Sequence, residues 1–87
     1  MNIPWEQSAQ LKFDQMIERV PVFLRSIAQS KVGQRAERFA QDAGHGEITE
    51  KDMVDAFFKE TPFGFHGPMK IDMEALGIDY LQYGYTR

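Results

Sequence analysis

Apolar residues recur at helical spacing in three parts of this chain. Between Val20 and Gly44, the residues Leu24, Ala28, Val32, Ala36, Phe39 and Ala43 follow one another at steps of three or four, the period of a single helix face. Pro21 suits the opening of a helix and Gly44 its left-handed close. The pattern predicts a central helix over 22–43, a rod of roughly 33 Å. Phe23 and Ile27 fall off the stripe near its start, which predicts packing on two sides there. Gly33, mid-helix, reads as a tolerated weak point at about 1 kcal/mol relative to alanine.

A second stripe, Trp5, Ala9, Phe13, Met16, Ile17 and Val20, predicts a helix that starts between Trp5 and Ser8 and ends near Arg19. Val20 precedes a proline and is pushed away from helical angles. Two helices joined so briefly are expected as antiparallel neighbours. After the loop His45-Gly46-Glu47 comes a third helix start. Thr49 stands at the N-cap and Asp52 three residues on, and Ile48 and Met53 have the spacing of a hydrophobic staple. Glu50 and Asp52 place negative charge at the positive end of the helix dipole. Met53, Val54, Phe57 and Phe58 form the buried face, and the helix ends near Glu60.

From Thr61 the character changes: four glycines, two prolines and five aromatics, Phe63, Phe65, Tyr80, Tyr83 and Tyr85. Asp72 and Gly77 read as the cap and stop of one short helix. The rest reads as ordered loop, too aromatic for a disordered linker. The expected fold is all-α: a three-helix unit over 1–60 with a long central helix, and an irregular C-terminal extension over 61–87 packed at least partly on it. No internal repeat shows in the residue pattern.

Composition narrows the function classes. The 87 residues make one small domain. A net charge of −3 argues against general nucleic-acid binding, which calls for a basic balance. With no cysteine, disulfides, thiolate metal sites and cysteine-ligated iron–sulfur clusters fall away. The first ten residues lack a charged-then-apolar pattern, and no apolar run approaches ~20 residues. The expectation is a cytoplasmic protein.

Candidate chemistry is sparse. His45 and His66 belong to no ligand pattern and read as solvated loop residues. No nucleophile has a visible base, and no glycine-rich loop follows a strand. No catalytic residue, metal or cofactor is assigned. Lys31, Arg35 and Arg38 share one flank of the central helix. They form either a solvated face paired with Glu37 and Asp42 or a basic strip for an acidic partner. Arg25 lies beside the apolar stripe, where an arginine buries its stem and bonds a carboxylate or carbonyls, or else meets a partner. Phe63, Phe65 and His66 are either a flap over the core or an exposed binding patch. These seven residues are the candidate partner-binding set.

One stretch resembles a known family. Trp5, Ala9, Ile17, Val20-Pro21-Val22-Phe23-Leu24-Arg25 and Ala28, then Glu37-Arg38-Phe39-Ala40, Gly44 and Glu47-Ile48-Thr49, are similar to the C-terminal domain of the light-independent protochlorophyllide reductase B subunit. This chain differs by about four extra residues in each of the first two helices, close to one turn apiece. The tail from Thr61 has no counterpart in that pattern, and the reductase's cluster cysteines and pigment site lie outside the domain. The resemblance implies a non-catalytic accessory module that docks on a protein partner, in a complex of nitrogenase-like reductase type. It implies association with an oxidoreductase rather than activity of its own. A monomer or weak homo-oligomer is expected. Two other classes stay open: a nucleic-acid-binding module with histone-like helices, and a small ligand carrier or enzyme with a pocket the residues do not reveal.

Overall fold

A computed structural model describes residues 3–87; the first two residues of the expected 1–60 unit lie outside them. Among the described residues there are four helices, not three, and no strand: α1 Gln7–Arg19, α2 Arg25–Ala43, α3 Glu50–Glu60 and α4 His66–Ala75. Three short 3-10 turns join or follow them, Val22–Leu24, Phe63–Phe65 and Tyr80–Tyr83. No helix among the described residues is long and apolar enough to cross a membrane.

Trp5 lies outside α1, in an extended segment that pairs with Ile48. Glu6 N–H donates to the Ile48 carbonyl at 3.0 Å, and Ile48 N–H to the Pro4 carbonyl at 2.8 Å. The indole stacks on Phe13, ring centroids 4.7 Å apart. The segment before α1 is thereby tied to the loop before α3.

The central helix begins three residues later than its apolar pattern suggests. Pro21 is extended, with ψ near 141°, so the chain turns through Val22–Leu24 before α2 starts at Arg25. The same construction recurs 41 residues on. Thr61-Pro62 ends α3, Phe63–Phe65 turn, and α4 starts at His66. At the first corner the Arg25 guanidinium donates to the carbonyls of Val20 (2.8 Å) and Glu18 (2.7 Å). At the second, His66 Nε2 donates to the Thr61 carbonyl at 2.9 Å. Both side chains occupy carbonyls that a helix leaves without intrahelical partners at its C-terminus.

α4 corrects the expectation of a helix capped by Asp72. Its N-cap is Phe65, seven residues earlier, and Asp72 lies within it. Gly67 and Pro68 do not prevent this, because they fall in the first turn, where backbone N–H groups have no intrahelical acceptor. The stop at Gly77 is where the sequence places it. There φ is +74°, Ile78 N–H donates to the Met73 carbonyl at 2.8 Å and Gly77 N–H to that of Glu74 at 3.1 Å. α2 closes in the same way. Gly44 has φ +75°, and His45 and Gly44 donate to Ala40 and Gln41. A left-handed residue with these two bonds is the glycine-ended C-cap. The chain is thus two helix–corner–helix units on one plan, here called hairpins, α1–α2 and α3–α4, the second with the shorter last helix. α2 packs chiefly on α3, and the equivalent pair, α4 and α1, is also in contact.

The hairpins share one core. Phe13, Met16 and Ile17 of α1, Val32, Ala36 and Ala40 of α2, and Met53, Val54 and Phe57 of α3 are buried with Met69, Met73, Ile78 and Tyr80 from beyond Thr61. α2 is rotated from the expected stripe: Ala40 is fully buried and Phe39 only partly, while Leu24 and Ala43 are exposed. Phe23 and Ile27 do not pack on a second side but stand exposed. At α3 the expected cap is complete. Asp52 N–H donates to Thr49 Oγ1 at 3.3 Å and Thr49 N–H to Asp52 Oδ2 at 2.9 Å, with Ile48 and Met53 buried beside them. His45 is no solvated loop residue: its Nδ1 lies 2.9 Å from Asp52 Oδ2, where it covers a buried carboxylate.

Candidate binding surface

A cleft of about 530 Å³ lies between the two proline corners. Sixteen of its seventeen lining residues form eight pairs 41 positions apart, among them Pro21 with Pro62, Leu24 with Phe65, Ile27 with Pro68 and Ala28 with Met69. The two hairpins therefore face each other across it with an approximate two-fold relation. Its lining is apolar because both corners are: a proline ends each first helix, and the turn that follows carries aliphatic or aromatic side chains.

The corners also expose apolar side chains beyond the cleft. Phe23 is 85% exposed and Phe63 87%, and Val22, Ile27 and Phe65 are also more than half exposed. Single apolar residues in water are ordinary; here five stand on the two corner turns and the start of α2.

Charge is distributed unequally at the rim. The first hairpin contributes Arg19 and Lys31; at the equivalent positions the second contributes Glu60 and Asp72. Arg19 lies 3.5 Å from Asp72, and Arg35 Nε donates to Glu60 at 2.8 Å. Lys31 has no ion-pair partner among the described residues.

The seven candidate residues are dispersed accordingly. Phe65 and Lys31 line the cleft, and Phe63 and His66 stand at the second corner, beside a shallower hollow with Phe58 and Tyr85. The His66 ring meets Phe58 edge-on at 5.2 Å. Arg25 is committed to the first corner's carbonyls. Arg35 is held by Glu60 and lies over the Phe39 ring at 5.8 Å. Arg38 pairs with Asp42 as expected, at 3.3 Å. Glu37 instead accepts the backbone N–H of Ile3 at 3.1 Å. Sequence reasoning missed Leu24, Ile27, Pro62, Pro68 and Met69. The signal available was the pair of X-Pro helix breaks 41 residues apart.

Away from the cleft, three tyrosines fasten the C-terminal segment. Tyr83 OH donates to Glu50 at 2.7 Å, Tyr85 OH to Asp55, and Tyr80 OH to Glu74. Lys12 pairs with the same Glu50 from α1. Burial first, then the carboxylate bond, pushes the Tyr83 and Tyr85 hydroxyls well above the ordinary phenol range. For Tyr80 the bond to Glu74 is the leading cause of an upward shift. Tyr85 stacks on Phe58 at 3.9 Å, nearly parallel. Among the described residues no group of three or more His, Asp or Glu is placed to hold a metal ion.

Comparison with known protein families, curated proteins and solved structures finds no match to this chain.

Proposed function

We propose that this chain is a non-catalytic interaction module that docks on a protein partner through the face formed by its two proline corners. The observation that carries this reading is the apolar cleft of about 530 Å³ with Phe65, more than half exposed, in its wall, together with Phe23 and Phe63 exposed on the same two corner turns. An interface core is apolar, and aromatic side chains supply large contact area at low entropic cost. The resemblance of the region from about Trp5 to Phe58 to the reductase B-subunit domain points to a partner in a reductase-type assembly. The test is affinity capture with the full chain against a Phe23→Ser/Phe65→Ser variant. Both positions are exposed, so the variant keeps the fold, which circular dichroism checks. Loss of the captured protein is expected; capture at wild-type level by the folded variant refutes the reading.

A second reading, a carrier of an apolar small molecule, is favoured by the cleft's volume alone, which is in the range of ligand pockets. Native mass spectrometry of the purified chain would show such a molecule directly.

A further inference from the structure

We propose that the face between the corners is occupied by a second copy of this chain. The corner Val22–Leu24 of each copy would lie against the corner Phe63–Phe65 of the other. This rests on reading the face as an interaction surface, and it names the partner.

Geometry supplies the first argument. The cleft is already bordered by equivalent residues of the two hairpins, so a two-fold axis through its mouth brings unlike corners together at both ends at once. An isologous interface needs one surface that fits itself under such an axis. Here hollow and protrusion occur on the same two turns: Leu24 and Phe65 line the cleft, and Phe23 and Phe63 of the same turns are each more than four-fifths exposed.

Charge supplies the second and selects the pairing. Arg19 and Lys31 border the first corner, and Glu60 and Asp72 occupy the equivalent places at the second. Arg19 is paired with Asp72 and Glu60 with Arg35 within the chain, which leaves Lys31 as the rim cation without an ion-pair partner among the described residues; unlike corners in contact bring it to the Glu60 and Asp72 edge of the other copy. Like corners in contact set Lys31 against its own copy, which repels. Complementary charge of this kind chooses register more than it adds affinity.

Area supplies the third. A standard interface takes about 800 Å² from each partner, a modest share of the molecule's 5510 Å² of accessible surface. Aromatic side chains cover 150–250 Å² each, so Phe23, Phe63 and Phe65 at their observed exposures offer on the order of 500 Å². Val22, Leu24 and Ile27 add to it from the same face.

The experiment uses the full chain. Sedimentation equilibrium over a wide concentration range is expected to show a reversible monomer–dimer equilibrium. Phe23→Ser/Phe63→Ser, folded by circular dichroism, should weaken association at least tenfold, and Lys31→Glu should weaken it to a lesser degree. Because the chain has no cysteine, Phe23→Cys and Phe63→Cys each carry a unique thiol. Equal amounts mixed under mild oxidation should give the 23–63 cross-linked dimer faster than either variant alone. Faster cross-linking of Phe23→Cys with itself overturns the pairing. A strict monomer at all concentrations overturns the dimer. If that monomer still loses a captured protein on Phe23→Ser/Phe65→Ser, the interaction reading stands without it. If capture is also unchanged, both fall.

Discussion

In the first hairpin an arginine closes the corner with two bonds to carbonyls, and a helix of 19 residues follows. In the second a histidine closes it with one bond, and the helix that follows has 10 residues. The long α2 finds its burial along α3. The short α4 cannot cover its share of the core, and the segment after it makes up the difference: Ile78 and Tyr80 enter the core, and Tyr83 and Tyr85 bond α3 carboxylates. One hairpin plan thus tolerates a loss of more than two helical turns when irregular chain supplies the missing apolar surface. What the hairpins keep in common is the corner, and both corners leave their apolar turns in solvent.

The comparison breaks most severely if the second hairpin is removed. A chain ending at Glu60 loses Met69, Met73, Ile78 and Tyr80 from the core. It is expected to lose cooperative thermal unfolding by circular dichroism, because a domain of this size has little stability in reserve. A cooperative transition near the full-length midpoint would show that α1–α3 is sufficient by itself.

Within the shared core, Phe57→Ala should destabilise by about 3–5 kcal/mol, since Phe57 is 4% exposed and floors the cleft between the hairpins. Phe39→Ala should cost clearly less because Phe39 is only partly buried. Equal midpoints in urea for the two variants would contradict the observed rotation of α2.

The corners sharpen the contrast at smaller scale. Arg25→Ala removes two charge-assisted bonds and should cost about 2 kcal/mol, and His66→Ala one bond at about 1 kcal/mol. Denaturant titration of both variants orders them; the reverse order would mean that the second corner, not the first, is the stiffer.

The smallest effect at neutral pH is that of the tyrosines, and it emerges only in base. Their hydroxyls ionise later in the folded than in the unfolded chain. A pKa raised by folding contributes stability that is complete below the unfolded value, about 10. It is lost as pH rises from there through the folded values. Absorbance at 295 nm should show all three tyrosines ionising above the free phenol range, with unfolding in step. Ordinary titration would detach the C-terminal segment from α3.

Much of the all-α fold was legible in local pattern. The α1 stripe, the Thr49–Asp52 cap and the glycine stops at Gly44 and Gly77 were readable because each depends on residues within one turn of one another. α4 was hidden by the glycine and proline in its first turn, which read as loop residues unless the helix start is known. The repeat was hidden because the corners Val20-Pro21-Val22-Phe23-Leu24-Arg25 and Thr61-Pro62-Phe63-Gly64-Phe65-His66 share only the proline. Arg25 and His66 do the same work by different chemistry. Of the candidate residues, Phe65 and Lys31 line the cleft and Phe63 and His66 border the second hollow, while Arg25, Arg35 and Arg38 are engaged within the chain.

By itself the sequence determined where α1 and α3 run and where α2 and α4 stop, since spacing, caps and glycine stops act over a few residues. Only the tertiary structure decided which apolar residues go inside. A helical stripe states a periodicity but not its angle to the core, so Ala40, off the expected stripe, is fully buried and Phe39, on it, is not. Only the tertiary structure, too, set the two corners against each other, because a cleft lined by residues 41 positions apart exists only when both hairpins are in place.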